Sequence, residues 1–269
     1  MAPVIVIVTY NSAAVLAGCL DTIPDGIRVV VVDNASADAS ASMAEARGTT
    51  VLRQDRNLGF GTACNRGAAA VPGADVLFLN PDARLEAGAL DRLAATLETY
   101  TDAGAVGPLL LGEDGAPALP DRSALHDRPA GPAPPLPEGP CCWPLLTGAA
   151  LLVRRAAFDA LGGFDEAIFL YHEDDDLSLR LRQAGWSLLV EPSARVFHEP
   201  ARSTPPSFAA IRMREAHAAR ALLHVTAKHG RPLDTGRLRR KTWRRLLLAL
   251  LLADRRRLAK AVGVLGVVR

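Results

Sequence analysis

The sequence predicts an α/β domain built on a largely parallel sheet, and three observations predict it. Strand-like runs alternate with helical spacing four times in the first hundred residues. The runs Val4–Val8 and Val29–Val32 are apolar without interruption, the pattern of strands covered on both faces. Polar residues gather where such runs end, at Thr9-Tyr10-Asn11, Asp33-Asn34 and Asn80-Pro81-Asp82. In an open parallel sheet the crevice outside the strand ends is where ligands bind.

Each element follows in turn. Pro3 to Thr9 is the first strand. Asn11-Ser12 then supplies a helix N-cap, and Val15, Leu16, Cys19 and Leu20 recur at helical spacing. Arg28–Asp33 is the second strand, residues 39–47 a helix, Thr50–Arg53 a short strand and Gly61–Ala70 a helix. Asp75–Asn80 is a strand, and Ala87–Tyr100 is a helix with a Leu90, Leu93 and Leu97 stripe. Residues 112–142 hold eight of the 19 prolines. Proline cannot donate to a ladder or sit inside a helix, so this stretch is expected to be a long loop and a lid. Structure resumes at Leu145–Arg154 and Ala156–Leu161, followed by a helix from Asp174 to Ala184 that Gly185 ends. Strands are expected at Ser187–Val190 and Arg195–His198, a helix at 207–229, and a basic, Leu-rich helical tail from Arg237.

Composition excludes several classes. The 269 residues are 49% hydrophobic and 22% charged, the balance of a soluble globular protein rather than a disordered one. The four cysteines form no CxxC pair, which argues against a disulfide scaffold or an all-cysteine zinc site and fits a reducing cytoplasm. The N-terminus has no basic region, and Val4–Val8 is too short for a signal-peptide core, so no secretory leader is expected. No apolar run of membrane-spanning length occurs. The net charge of +2 divides unevenly: residues 231–269 carry 12 basic and 2 acidic residues, and residues 1–230 carry 19 and 27. An acidic body with a basic tail argues against a nucleic-acid partner and allows a tail that meets an anionic surface.

The motifs resemble those of the family 2 glycosyltransferases with the GT-A fold. The matching pieces are Thr9-Tyr10-Asn11, Asp33-Asn34-Ala35-Ser36-Ala37-Asp38, Asn57-Leu58-Gly59-Phe60-Gly61 with Asn65, and Asn80-Pro81-Asp82. Further on come Thr147-Gly148-Ala149, Gly162-Gly163-Phe164-Asp165-Glu166, Tyr171-His172-Glu173-Asp174-Asp175-Asp176, Arg180, Gly185-Trp186 and His198. They run in the family's order over about residues 3–230. Leu145–Arg155 and Phe169–Asp176 most resemble bacterial rhamnosyltransferases that act on a polyprenyl-diphosphate-linked sugar. The resemblance implies a GT-A domain over 1–230, with 231–269 as a separate tail.

What the resemblance implies is consistent with the chemistry. Sugar transfer from a nucleotide diphosphate releases an anionic leaving group, whose charge a divalent cation, Mg2+ or Mn2+, neutralises. Asp82 and His198 are the expected metal ligands, and Asn80, in the first acidic position of the family's DXD motif, is expected to bind the nucleotide by hydrogen-bonding its ribose. Asp33 is expected to accept the imide N–H of a uracil or thymine that Thr9 and Tyr10 bracket, with Asn11 beside them. Asn57 and Gly59 belong to a loop whose amides are expected to face phosphate. Asp174 is the implied general base, and Gly148, Glu173 and Asp176 are placed around the donor and acceptor pocket. The implied donor is dTDP-L-rhamnose and the implied acceptor a saccharide or a polyprenyl-linked sugar. The expected setting is cytoplasmic, peripheral on the inner face of the plasma membrane. A nucleotidyltransferase or a non-catalytic sugar-nucleotide-binding module are the alternatives. For the tail, a membrane-interface helix and a helix packed on the domain both stay open.

Overall fold

The computed structural model describes residues 2–120, 123–126, 135–198 and 207–268. In chain order the elements are β1 (Val4–Thr9), α1 (Ala13–Leu20), β2 (Val29–Asp33), α2 (Ser40–Ala46), β3 (Thr50–Arg53), α3 (Phe60–Ala69) and β4 (Val76–Leu79). Then come β5 (Ala83–Leu85), α4 (Ala89–Thr99), β6 (Ala103–Leu111), β7 (Pro117–Ala118), β8 (Cys141–Cys142) and β9 (Ala150–Val153). The chain continues through α5 (Arg155–Ala160), α6 (Glu173–Gln183), β10 (Ser187–His198), α7 (Phe208–Lys228), α8 (Thr235–Leu251) and α9 (Arg255–Leu265).

The strands form one mixed sheet in the order β3-β2-β1-β4-β9-β6-β10-β5, with β7 on β6 and β8 on β10. Neighbours from β3 to β4 are parallel, as are β6 and β10. β9 runs antiparallel to both β4 and β6, and β5 antiparallel to β10. The expected direction therefore holds for six of the eight strands on this path, and the two reversed ones bring extra segments to the crevice.

Side chains alternate across the pleat, and each face takes its own helices. Ile5, Ile7, Val31, Leu77 and Leu79 pack with Leu16 of α1 and Leu90, Leu93 and Leu97 of α4. Val6, Val30, Val32 and Phe78 pack with Ala63 and Cys64 of α3 and with Leu177 and Leu181 of α6. Phe78, Phe158 and Phe164 meet edge-on or tilted, at centroid separations of 5.1 to 5.7 Å. Burying each such side chain contributes roughly 1.5–3 kcal/mol.

Three parts of the sequence reading are corrected. β6 and the short β5 add strands where none was expected. β10 is one continuous strand rather than two, because the Glu191/Arg195 register shift absorbs Pro192 as an irregularity in its pairing with β6. The Pro-rich stretch contains β7 and β8, and its residues 121–122 and 127–134 lie outside the described residues.

The tail forms two helices, split at Ala253 (φ 50°), with the Asp254 side chain accepting the Arg257 N–H at 2.9 Å as the cap of α9. α9 lies against α7: a Cβ on Gly263 would fall 2.4 Å from the Arg212 carbonyl oxygen, and Ala259 and Ala261 are buried. α8 buries only Thr242 and Ala249. Trp243, Leu247, Leu248, Leu250, Leu251 and Leu252 remain exposed, Leu251 at 83%.

An ionic cluster joins α6 to the end of α7. Asp176 is 0% exposed. Its carboxylate accepts from Arg180 Nε at 2.7 Å, Lys228 Nζ at 2.8 Å and His229 Nε2 at 2.8 Å. Burial pushes its pKa up, but the Lys228 hydrogen bond, the Arg180 charge and the His229 hydrogen bond outweigh that and hold it below the usual value. Lys228 also bonds Asp165 at 2.7 Å, as His224 does at 3.0 Å. Asp176→Asn removes the charge these cations share, and losing one partner of a buried ion pair costs about 3–5 kcal/mol. We expect a loss of that size in urea unfolding, and an unchanged midpoint would contradict the role.

Candidate active site

Three strand ends and two reversed segments build the site. At the ends of β1 and β2, Thr9 and Asp33 are register partners, 0% and 3% exposed. Among the described residues three buried side-chain oxygens lack a hydrogen-bond partner: Thr9 Oγ1, Asp33 Oδ1 and Glu173 Oε2. Leaving such a group unpaired is costly, so adjacent orphans at strand ends ask for a ligand. Asp33 Oδ2 is occupied by the Ser36 N–H at 3.2 Å, while Oδ1 has the acceptor capacity for a base N–H. Tyr10 beside them is exposed. Asn11 serves the scaffold: at φ 53° its N–H donates to Ser36 Oγ at 3.0 Å and its Oδ1 accepts from Ala37 N–H at 2.8 Å, tying the two strand-end loops together.

The Asn57–Gly59 loop has a different job from the expected one. The Leu58 N–H donates to Asn34 Oδ1 at 3.1 Å, the Gly59 N–H to Asn57 Oδ1 at 2.9 Å, and the Phe60 N–H to the Phe169 carbonyl at 3.0 Å. These amides are consumed within the protein and do not face phosphate. Gly59 is required because φ is +87° and a Cβ would sit 2.3 Å from the Phe169 oxygen. The loop therefore docks the segment that leads into α6.

Strand register brings Asp82 to His198. β5 pairs with β10 so that Ala83 lies opposite His198, which sets the preceding Asp82 beside it. His198 Nε2 lies 3.4 Å from Asp82 Oδ1 and 3.4 Å from Asn80 Nδ2. In the tautomer with its proton on Nδ1, Nε2 carries a single lone pair, which can accept from the Asn80 amide or, with Asp82 Oδ1, face a cation, but not both at once. That donor set fits a hard or borderline divalent cation. Among the described residues no group of three or more His, Cys, Asp or Glu side chains could hold a metal.

The acidic run at the start of α6 is sorted by direction. Glu173 is buried, and burial followed by the Asp174 charge pushes its pKa up to about 8. Asp174 is half-buried and lines the cleft; its Oδ2 accepts the Gly148 N–H and its Oδ1 the Asp175 N–H, both at 2.9 Å. Burial and then the Asp175 charge raise its pKa against those two hydrogen bonds. Asp175 pairs with His172 Nδ1 at 2.8 Å. Asp176 belongs to the ionic cluster and is absent from the cleft wall, so its expected pocket role is replaced by a structural one. Glu173 likewise points inward.

Tyr171 and His172 hold φ of 69° and 65°, a left-handed pair of non-glycine residues next to the base candidate. They line a cleft of about 1170 Å³ together with Thr147, Asp174, Asp175 and His198. Sequence reading gave no role to Thr147, His172 or Asp175; the His172–Asp175 spacing of three on a helix start was the available signal.

Solved structures place this architecture in a class. A GalNAc-T7 structure with UDP, GalNAc and Mn2+ superposes with a TM-score of 0.62 at 18% identity, over 84% of this chain and 48% of that one. A mannosyltransferase from Pyrobaculum calidifontis in complex with GDP-Man and Mn2+ gives 0.61 at 18% identity, over 87% and 65%. The fold is that of the GT-A glycosyltransferases. The family model for glycosyl transferase family 2 matches residues 4–161, and the chain belongs to that family. The N-acetylglucosaminyl-diphospho-decaprenol L-rhamnosyltransferase of Mycobacterium tuberculosis is 37% identical over 211 residues, which is 66% of this chain and 68% of that protein. The protein is thus a glycosyltransferase with a rhamnosyltransferase relative, and the resemblance read from its motifs holds.

Glu173 supplies a pH test. Its folded pKa of about 8 lies above the ordinary 4.5, so between those values the folded state binds the extra proton. Stability therefore falls as pH rises through that window. Glu173→Gln keeps the neutral shape and should flatten the fall of the melting temperature between pH 5 and 8. A slope equal to the wild type's would contradict the assignment.

Proposed function

We propose that the protein is an inverting, divalent-metal-assisted transferase that moves L-rhamnose from dTDP-L-rhamnose to a hydroxyl of a polyprenyl-diphosphate-linked saccharide. The observation that carries this reading is the placement of two kinds of group at one crevice: the Asp82–His198 pair, and a carboxyl with a raised pKa at Asp174. The rhamnosyl donor and the lipid-linked acceptor rest on the printed name of the mycobacterial relative. The unpaired Asp33 Oδ1 and Thr9 Oγ1 support a base with an imide N–H.

In this mechanism Asp174 takes the proton of the acceptor hydroxyl as its oxygen bonds to the anomeric carbon. The bond from that carbon to the diphosphate oxygen breaks in the same displacement, so the configuration inverts and the nucleotide diphosphate leaves. Gly148 holds Asp174 by its N–H, and the raised pKa suits a base that must accept a proton near neutral pH. Asp82 and His198 would hold a Mg2+ or Mn2+ ion, which when bound neutralises the departing diphosphate.

A panel of nucleotide sugars assayed for nucleotide diphosphate release with Mg2+ or Mn2+, with product configuration read by NMR, tests the reading. Asp174→Asn should lower turnover by roughly 10²–10⁴-fold with nucleotide affinity little changed. Chelation or Asp82→Ala should weaken nucleotide diphosphate binding. Normal turnover of the Asp174 variant excludes the base, and activity through exhaustive chelation excludes the metal.

The tail supports a peripheral membrane setting. Among the described residues no helix is long and apolar enough to cross a membrane. The exposed leucines of α8 sit within a segment of strong positive charge, a combination that favours an anionic lipid interface. Each nearby basic residue contributes about 1 kcal/mol, screened by salt. Leu247→Gln with Leu251→Gln, both at exposed positions, should abolish salt-sensitive co-sedimentation with anionic vesicles while leaving the melting temperature unchanged. Undiminished sedimentation would remove the membrane role.

A further inference from the structure

The cleft beside Asp174 has a second group of lining residues that the sugar chemistry does not use. Besides Asp174, Asp175, His172 and His198, the lining includes Arg214 of α7 and Arg256 and Lys260 of α9. Glu215 stands among these cations and is paired to Lys260 at 3.2 Å. Neither Arg214 nor Arg256 has a carboxylate partner in an ion pair among the described residues. Arg257, next in the chain, does: it is bonded to Asp254 at 3.1 Å. Two guanidinium groups without a carboxylate ion pair in the lining of one cleft leave positive charge there. Such a site suits a multiply charged anion, because guanidinium forks match phosphate oxygens with paired hydrogen bonds.

The position identifies which anion. Arg256 follows Leu250, Leu251 and Leu252, the exposed apolar end of α8, with three residues between. Along the chain, a cation of the cleft thus stands four residues beyond the last exposed leucine. With the α8 leucines on a bilayer, as proposed above, Arg256 stays within a few residues of that surface, where the phosphates of a lipid-linked sugar emerge.

We infer that Arg214 and Arg256, assisted by Lys260, form a subsite for the diphosphate of the lipid-linked acceptor, between the apolar end of α8 and Asp174. This inference rests on the lipid-diphosphate acceptor reading above. It goes further in assigning the residues that grip the acceptor's phosphates and in giving α9 a part in substrate binding as well as in packing. The subsite fixes the acceptor sugar by its anchored end, so that the hydroxyl at the other end meets Asp174. The same diphosphate chemistry exists in the donor, and the two sources are separable by kinetics.

The experiment compares two acceptors carrying the same sugar, a short-chain polyprenyl diphosphate derivative and an alkyl glycoside without phosphate. Each is assayed with full-length wild type and with Arg214→Gln combined with Arg256→Gln. Arg256 is exposed and Arg214 half-buried, and a melting curve of the variant accompanies the kinetics. We expect KM for the diphosphate acceptor to rise roughly 10- to 100-fold, the loss of one or two charge-assisted hydrogen bonds. KM for the glycoside and for the donor should stay at wild-type values. Arg214→Lys with Arg256→Lys should restore part of the affinity, because the charge returns without the fork. Inorganic pyrophosphate should compete with the diphosphate acceptor in the wild type and lose potency in the glutamine variant. A wild type that prefers the diphosphate acceptor, with a variant that keeps the whole preference, overturns the subsite alone. A rise in donor KM instead assigns the arginines to the donor and also overturns it. A wild type that gains nothing from the diphosphate overturns the subsite together with the acceptor reading.

Discussion

The structure depends on how four consecutive carboxyl groups share one helix start. Side by side and ionised, Glu173, Asp174, Asp175 and Asp176 repel one another strongly at short range. The helix turns about 100° per residue, so each points its own way and meets its own partner. Glu173 goes into the core and is held neutral up to about pH 8. Asp174 faces the cleft, held by the Gly148 amide. Asp175 takes His172, and Asp176 takes Arg180, Lys228 and His229. The backbone enters this arrangement through Tyr171 and His172 in the left-handed region, a cost that the surrounding contacts offset. Burial, and after it the Asp175 charge, leave Asp174 with a raised proton affinity. The ionic cluster and the cleft therefore draw on the same acidic run.

The sheet converts strand direction into site composition. In its parallel part the strand ends deliver Thr9, Asp33 and Asn80 to one edge. Reversal of β9 delivers the opposite kind of end: Ala150 lies against Leu79, and the Asn80 N–H donates to the Ala149 carbonyl at 2.9 Å. That places Gly148 at the crevice, where it reaches Asp174. Reversal of β5 against β10 does the same for Asp82 and His198. A wholly parallel sheet would have put these residues at the end of a helix connection instead, with no register to fix the pair.

How much was legible in the sequence follows from what each element is made of. β1, β2 and β4 are β-branched or apolar throughout, and their ends carried the polar residues that mark the crevice. β6 reads Ala-Gly-Ala-Val-Gly-Pro-Leu-Leu-Leu, and its glycines and proline hide a strand. The reason is packing: a Cβ on Gly104 would meet Trp186 at 2.7 Å, and one on Gly107 would meet Leu146 at 2.9 Å. Asp82 and His198, 116 residues apart in sequence, were paired by family resemblance; their contact depends on a register that no local pattern encodes. The Asn57–Gly59 loop was misread because a glycine loop before a helix looks the same whether its amides meet phosphate or protein. Asp176 was grouped with its neighbours because four identical-looking acids reveal their directions only once the helix phase is fixed.

The tail divides into two helices of different character. α9 is small-residue and close-packed, with Gly263 against the Arg212 carbonyl, and it completes the body of the protein through α7. α8 carries the Leu block outward, where burial against the protein is confined to Thr242 and Ala249. The break at Ala253 and the Asp254 cap allow this division, since one continuous helix would carry a single face along a single direction. Charge follows the same split. Arg257 and Lys260 have partners within the fold, while the run from Arg237 to Arg245 shares α8 with the exposed leucines. Removing the whole tail would strip the α7 surface that α9 covers, so the role of the exposed leucines is separable from stability only by changing α8 alone.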